Sequence, residues 1–140
     1  MAGTIIADTI EHSDSTSLAT NQLAAKNAAQ TFTAGQRGEI TTLTSASTVT
    51  PNFADSNNFT LTLDQSLTFA NPSNLTAGQS GSIFLVQDST GSRAITWGSY
   101  WDWAGGTAPT LTTTANAVDR VDYIVRTTGS IHAVATLAYS

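Results

Sequence analysis

The stretch Trp97–Leu111, WGSYWDWAGGTAPTL, is the most informative part of this 140-residue chain. It places three tryptophans and one tyrosine within seven residues and follows them at once with Gly105-Gly106. Aromatic side chains bury large areas, so a group this dense either anchors a packed β core or lines a binding surface. The turn that follows and the apolar strands on either side favour packing. We therefore predict a core or subunit-interface position for four side chains: Trp97, Tyr100, Trp101 and Trp103.

A binding platform is the open alternative for the same aromatic side chains. If their rings are exposed, they offer flat faces on which sugar rings stack. Asp102, between Trp101 and Trp103, also invites comparison with a glycosidase acid. A glycosidase needs two carboxyl groups facing one cleft, and one acid among aromatics is not a pair. We therefore predict a structural rather than a catalytic role for Asp102.

Outward from this stretch, the chain carries the pattern of β-strands. Phe59, Leu61 and Leu63 alternate with polar residues, as in a strand with one buried face. Residues 82–87 and 93–97 flank the turn-like DSTGS at 88–92, which predicts a hairpin. A second hairpin is predicted at Thr128-Gly129. Short strands with turn signals at this spacing predict an all-β fold, an antiparallel β-sandwich or jelly roll.

The last strand, residues 131–139, is apolar on both of its faces. A strand of this kind is usually covered on both sides, and in a small sandwich the second cover is another subunit. We therefore predict an interface or packing role for Ile131, Leu137 and Tyr139. His132 alternates out of phase with its apolar neighbours, which is typical of a surface or interface histidine.

The first 30 residues read as a separate element ahead of a β-sandwich module at 31–140. TIIADTI at 4–10 predicts a short strand or arm, and the Ser/Thr-rich residues 11–20 predict a linker or loop. Residues 21–29 predict a small alanine-rich helix capped by Asn21. Such a short helix must dock on something to be stable. The apolar residues of this region are the predicted attachment residues: Ile5, Ile6, Ile10 and Leu23.

Composition argues against several classes of function. Charged residues make up only 11% of the chain, the net charge is −5, and the five basic residues form no patch, so a nucleic-acid partner is not expected. The chain has no cysteine and two histidines, so we expect no metal site, and nothing indicates a cofactor. No run is apolar enough for a membrane span, and no secretory signal is visible. No catalytic constellation stands out, and we predict that the protein is not an enzyme.

Several phrases of the chain resemble a module that recurs in structural proteins of tailed-phage virions. They are NAAQTFTAGQRGEITTLT (27–44), NNFTLTL (57–63), the long stretch from ANPSNLTAGQSG to DRVDYIV (70–125) and the terminal IHAVATLAYS. The resemblance implies a β-sandwich-like domain in a virion appendage or decoration, commonly a trimer, with no catalytic residues to transfer. It also implies a virion location after assembly in the host bacterial cytoplasm.

Two functions follow from this resemblance as expectations. The first is a capsid decoration (cement) protein that binds the major capsid protein as a homotrimer. The second is a short tail or head fibre that attaches to a tail component and recognises a host-surface glycan. Because only about 26 residues precede the module, a free-standing version is expected rather than the end of a long fibre chain.

Overall fold

The computed structural model describes residues 9–11, 17–19 and 35–139. The chain forms two compact units, Met1–Gln36 and Arg37–Ser140. In the first unit, β1 (Thr9–Glu11) and β2 (Ser17–Ala19) pair antiparallel, with Ile10 of β1 opposite Leu18. The linker prediction for residues 11–20 is thus wrong at β2. The predicted helix and the attachment residues Ile5, Ile6 and Leu23 lie outside the described residues.

The second unit is built from two β-sheets. The larger sheet has six strands in the order β3-β5-β7-β10-β11-β9, and the smaller has three in the order β4-β6-β8. The strands are β3 (Ile40–Leu43), β4 (Thr48–Val49), β5 (Asn58–Leu63), β6 (Leu67–Phe69), β7 (Ser80–Gln87), β8 (Ile95–Trp97), β9 (Trp101–Trp103), β10 (Val118–Thr127) and β11 (Ser130–Tyr139). A single turn of 3-10 helix, Ala104–Gly106, follows β9.

From β3 to β8 the chain winds as a short parallel β coil. Successive strands alternate between the two sheets, and each strand pairs in parallel with the strand one turn later. This winding stacks equivalent side chains above one another. Thr41, Phe59 and Ile83 align in the larger sheet, and Val49, Phe69 and Trp97 align in the smaller sheet.

The hairpin predicted at residues 88–92 is wrong, because β7 and β8 belong to different sheets. The Gln87 side chain pairs with the Arg93 backbone, accepting from its N–H at 2.9 Å and donating to its carbonyl at 2.9 Å. The Arg93 guanidinium also binds the Asp88 carboxylate, with Nη2 2.8 Å from Oδ2, and this hydrogen bond lowers the pKa of Asp88. Together these bonds hold a turn that carries the chain across to the smaller sheet.

The remaining strands complete the larger sheet. β10 and β11 form the antiparallel hairpin predicted around Thr128-Gly129, β10 pairs antiparallel with β7, and β9 runs parallel to β11. The predicted all-β, sandwich-like fold is confirmed. Its pairing is mixed rather than antiparallel throughout, since a period-2 pattern specifies a buried face but not the direction of the neighbouring strand.

The core lies between the two sheets. Phe59, Leu61 and Leu63 of β5 are 0% exposed, as their alternation predicts. They pack with apolar residues of β6, β7, β10 and β11 in one cluster. Asp119 is the buried carboxylate of this core, at 2% exposure.

Tyr123 provides a pH-dependent contribution to stability. Its hydroxyl donates a hydrogen bond of 2.8 Å to the Asn57 carbonyl, and burial raises the pKa of Tyr123 to about 12. An unfolded tyrosine ionises near pH ~10. The folded state therefore keeps this proton between pH ~10 and pH ~12 while the unfolded state loses it, so the free energy of unfolding falls by up to about 1.4 kcal/mol per pH unit in that window.

Tyr123→Phe is expected to remove this part of the alkaline decline. It should also lower the free energy of unfolding near neutral pH by about 1 kcal/mol, through the lost hydrogen bond. Urea denaturation at a series of pH values measures both effects. An alkaline decline as steep in the variant as in the parent would contradict the assignment to Tyr123.

Candidate functional site

The three predicted tryptophans meet two further rings between the sheets in what we call the aromatic cluster: Phe69, Trp97, Trp101, Trp103 and Tyr123. The ring centroids of Trp97 and Trp101 are 5.2 Å apart, and those of Trp97 and Trp103 are 4.8 Å apart. Trp101 also contacts Phe69 at 5.7 Å and Tyr123 at 6.3 Å. The cluster thus joins β6 and β8 of the smaller sheet to β9 and β10 of the larger one.

The members of the cluster differ in burial. Trp101 is 5% exposed, while Trp97 and Trp103 are half-buried. Tyr100, just before β9, is also half-buried, and its backbone N–H donates to the Asn71 side chain at 2.9 Å. Alternation in β9 explains the pattern, because Trp101 and Trp103 face inward while Asp102 between them faces outward.

The indole nitrogens show how the cluster is oriented. In the described part of the chain, Nε1 of Trp97, Trp101 and Trp103 is buried without a hydrogen-bond partner. Trp97 meets both other indoles edge to face, with interplanar angles of 61° and 67°. Edge-to-face pairs direct the positive ring edge at the negative face of a neighbour, which partly compensates a buried N–H. Indole groups turned inward in this way are unavailable to hydrogen-bond a ligand.

The other sequence-predicted residues do not belong to the aromatic cluster. Ile131 is 0% exposed and stands opposite Trp101 in the register of β9 and β11. Leu137 and Tyr139 are 42% and 41% exposed, near the end of β11. Ile10 lies in β1, in the other unit.

Asp102 lies beside a surface depression of about 270 Å³ lined also by Trp103, Ala104, His132 and Ala133. Its Oδ2 accepts a hydrogen bond of 2.5 Å from the Ser130 hydroxyl, which in turn accepts one of 3.1 Å from Arg126 Nε. His132 stands opposite Asp102 in the strand register. Among the described residues that line this depression, no second carboxylate accompanies Asp102.

Ser130, His132 and Asp102 share the residue types of a catalytic triad but not its geometry. A triad needs the serine hydroxyl bonded to the imidazole, which removes its proton. Here Ser130 is 6% exposed and donates to the carboxylate instead. Sequence reasoning missed this cluster, because Ser130 lies 28 residues from Asp102 and is brought near only by the β9–β11 pairing.

A second depression, of about 290 Å³, lies on the outer face of the larger sheet. It is lined by Phe84, Val118, Arg120 and Tyr139. The Arg120 guanidinium lies 5.5 Å from the centre of the Tyr139 ring, and its Nη2 lies 2.9 Å from Asp122 Oδ2. Apolar walls with one internally paired charge suit an apolar side chain better than a charged ligand.

Asp119 holds the β11 segment that ends in Tyr139. Its carboxylate accepts hydrogen bonds from the Thr112 N–H and hydroxyl at 2.7 Å each and from the Ala138 N–H at 2.9 Å. Ala138 has a φ of 62°, at the irregularity in the β10–β11 register. The buried carboxylate thus stabilises a strained backbone position next to Tyr139.

Asp119→Ala is expected to lower the free energy of unfolding by about 3 kcal/mol, because it leaves three donors near the core without their acceptor. Asp64→Ala is the matched control, since the two hydrogen bonds that Asp64 Oδ1 accepts, from Ser45 and Gln65, are exposed. The control should change stability by less than about 1 kcal/mol. Chemical denaturation of both variants measures the difference, and equal small losses would contradict the role of Asp119.

Two further classes of site are absent from the described residues. No group of three or more His, Cys, Asp or Glu side chains there is placed to hold a metal ion. Nor does any helix in that part of the chain have the length and apolar character needed to cross a bilayer.

Comparison with known proteins gave one family. The family described as "Putative phage tail fibre C-terminal domain" matches residues 49–130. The matched segment runs from β4 to the first residue of β11 and contains the whole aromatic cluster. Searches of curated proteins and of solved structures gave no match.

Proposed function

Because this chain belongs to the phage tail fibre C-terminal domain family, a family of virion structural modules, we propose that it forms the distal part of a phage tail fibre. The observation that carries the proposal is the extent of the match, which spans the β coil from β4 onward, the whole aromatic cluster and β10. The packed interior supports it. Large apolar and aromatic side chains are used to hold the two sheets together rather than to surround a ligand.

Of the two virion positions expected from the sequence, the family favours the fibre. A capsid decoration protein remains a second candidate, because a small, acidic module with an exposed apolar sheet face also suits attachment to a shell. The two functions differ in the partner, which is a tail component for a fibre and the major capsid protein for a decoration protein. They also differ in the place of the protein on the particle.

We further propose that the protein acts as a homotrimer. A trimer would cover apolar side chains that β11 exposes on the outer face of the larger sheet, such as Val134, which is 55% exposed. Recognition of a host-surface glycan belongs to the same proposal. Since the indole nitrogens are buried, the glycan would bind at loops or between subunits rather than on the tryptophan rings.

Immunogold electron microscopy of intact particles tests the position. Antibody raised against the purified chain should label the distal ends of the tail fibres. Uniform labelling of the head would contradict the fibre and support the decoration protein. An adsorption assay with purified protein as competitor then tests host recognition, and a fibre tip should reduce phage binding to host cells.

A further inference from the structure

The outer face of the six-stranded sheet carries apolar side chains where solvent-facing residues are expected to be polar. Alternate residues of β7, β10 and β11 point away from the core and include six large apolar side chains: Phe84, Val86, Val118, Ile124, Val134 and Tyr139. Ile124, Val134 and Tyr139 are 49%, 55% and 41% exposed. Apolar patches of this kind mark interaction surfaces.

This face has both a recess and a projection. The recess is the depression lined by Phe84, Val118, Arg120 and Tyr139. The projection is formed by Ile124 and Val134, which lie on β10 and β11 nearer the Thr128-Gly129 turn. A recess and a projection at different places on one face allow one copy to insert into the next, which closes a ring when the rotation between copies is suitable.

The charges of this face favour a second copy of the chain as the partner. Its strand positions carry two basic residues, Arg120 and Arg126, and two acidic residues, Asp102 and Asp122. The face is thus neutral, whereas the chain as a whole has a net charge of −5. Copies of an acidic chain repel one another least where their charges are balanced, and a neutral face does not attract a strongly charged partner.

We propose that this outer face is the surface through which one copy of the chain binds a second copy, with Ile124 and Val134 of one copy entering the recess of the next. The inference rests on the proposed homotrimer for its partner and adds the surface that makes it. A strand residue covers about 16 Å² of a sheet, so the six strands present a face on the order of 650 Å². In a trimer each copy divides this face between two neighbours, so it supplies roughly 325 Å² to each contact, a part of the roughly 800 Å² per partner of a stable interface.

Val134→Lys tests the surface. A lysine there would be buried without a partner, which should raise the dissociation constant at least about 100-fold. Leu137→Lys is the matched control, because Leu137 lies on the same strand, is 42% exposed and alternates onto the other side of the sheet. Light scattering coupled to size exclusion of the full chain at micromolar concentration gives the mass, and circular dichroism confirms that each variant is folded.

The parent and Leu137→Lys are expected at three times the 14.6 kDa chain mass, and Val134→Lys at 14.6 kDa. A trimeric Val134→Lys protein would show that this face is not the contact surface between copies, but it would leave the proposed trimer in place. A monomeric parent would overturn both the surface and the proposed trimer. Neither outcome changes where the protein lies on the particle, so failure here is distinguishable from failure of the proposed fibre. Ile124→Lys gives an independent second test and should behave as Val134→Lys does.

Discussion

Gly81→Ala is expected to prevent the second unit from reaching its native structure. Gly81 lies in β7, opposite Tyr123 of β10. A Cβ at this position would lie 1.6 Å from the carbonyl oxygen of Asn57 and 2.6 Å from its carbonyl carbon. Both are backbone atoms at the entrance to β5, so a rotamer change cannot relieve the overlap. The backbone must shift, and the Asn57 carbonyl also accepts the hydrogen bond from Tyr123.

The expected loss in the free energy of unfolding exceeds the roughly 1–3 kcal/mol that is typical when an extra group is forced into a packed core. Thermal unfolding followed by circular dichroism should show no cooperative transition at the temperature where the parent melts. Gly35→Ala is the matched control, because a Cβ on Gly35 meets nothing within 4 Å. A Gly81→Ala protein that melts with the parent would show that β5 and β7 do not approach as described.

Trp101→Ala is expected to lower the free energy of unfolding by about 3–5 kcal/mol, the range for removing a large buried aromatic side chain. Trp101 contacts four other rings, so its loss leaves a cavity between the two sheets. Ile40→Ala serves as the control, since Ile40 is 51% exposed on an edge strand and should matter little. Urea denaturation of the two variants gives the comparison.

The same variant separates packing from binding. If Trp101 packs in the core, the variant is less stable than the parent, and any loss of host binding follows the loss of folded protein. If Trp101 instead forms a sugar platform, stability stays close to that of the parent while binding disappears. The second pattern would contradict the position of Trp101 in the core.

The alternation of Phe59, Leu61 and Leu63 was enough to predict a strand with one buried face. The aromatic density left packing and binding open for Trp101, and the turn and apolar strands beside it favoured packing; Trp101 is 5% exposed. Both follow from local rules, because side-chain alternation and aromatic area depend little on the rest of the chain. The all-β fold and the β10–β11 hairpin follow from the same rules.

The parallel winding from β3 to β8 could not be predicted in the same way. It depends on where each turn sends the chain, and the turn after β7 is decided by side-chain bonds from Gln87 and Asp88 to Arg93. A turn-like composition does not show whether the next strand pairs with the previous strand or crosses to another sheet. The cluster of Asp102, Ser130 and Arg126 was missed for a similar reason, since strand pairing alone brings its members together.

Intrinsic fluorescence of the folded protein tests most directly whether the tryptophan cluster is an interior. The chain has three tryptophans, and all of them belong to the aromatic cluster, so their emission reports on nothing else. We predict blue-shifted emission that acrylamide quenches weakly in buffer and strongly once urea has unfolded the chain. Quenching in buffer as strong as in urea would place the indole rings in water and contradict the account.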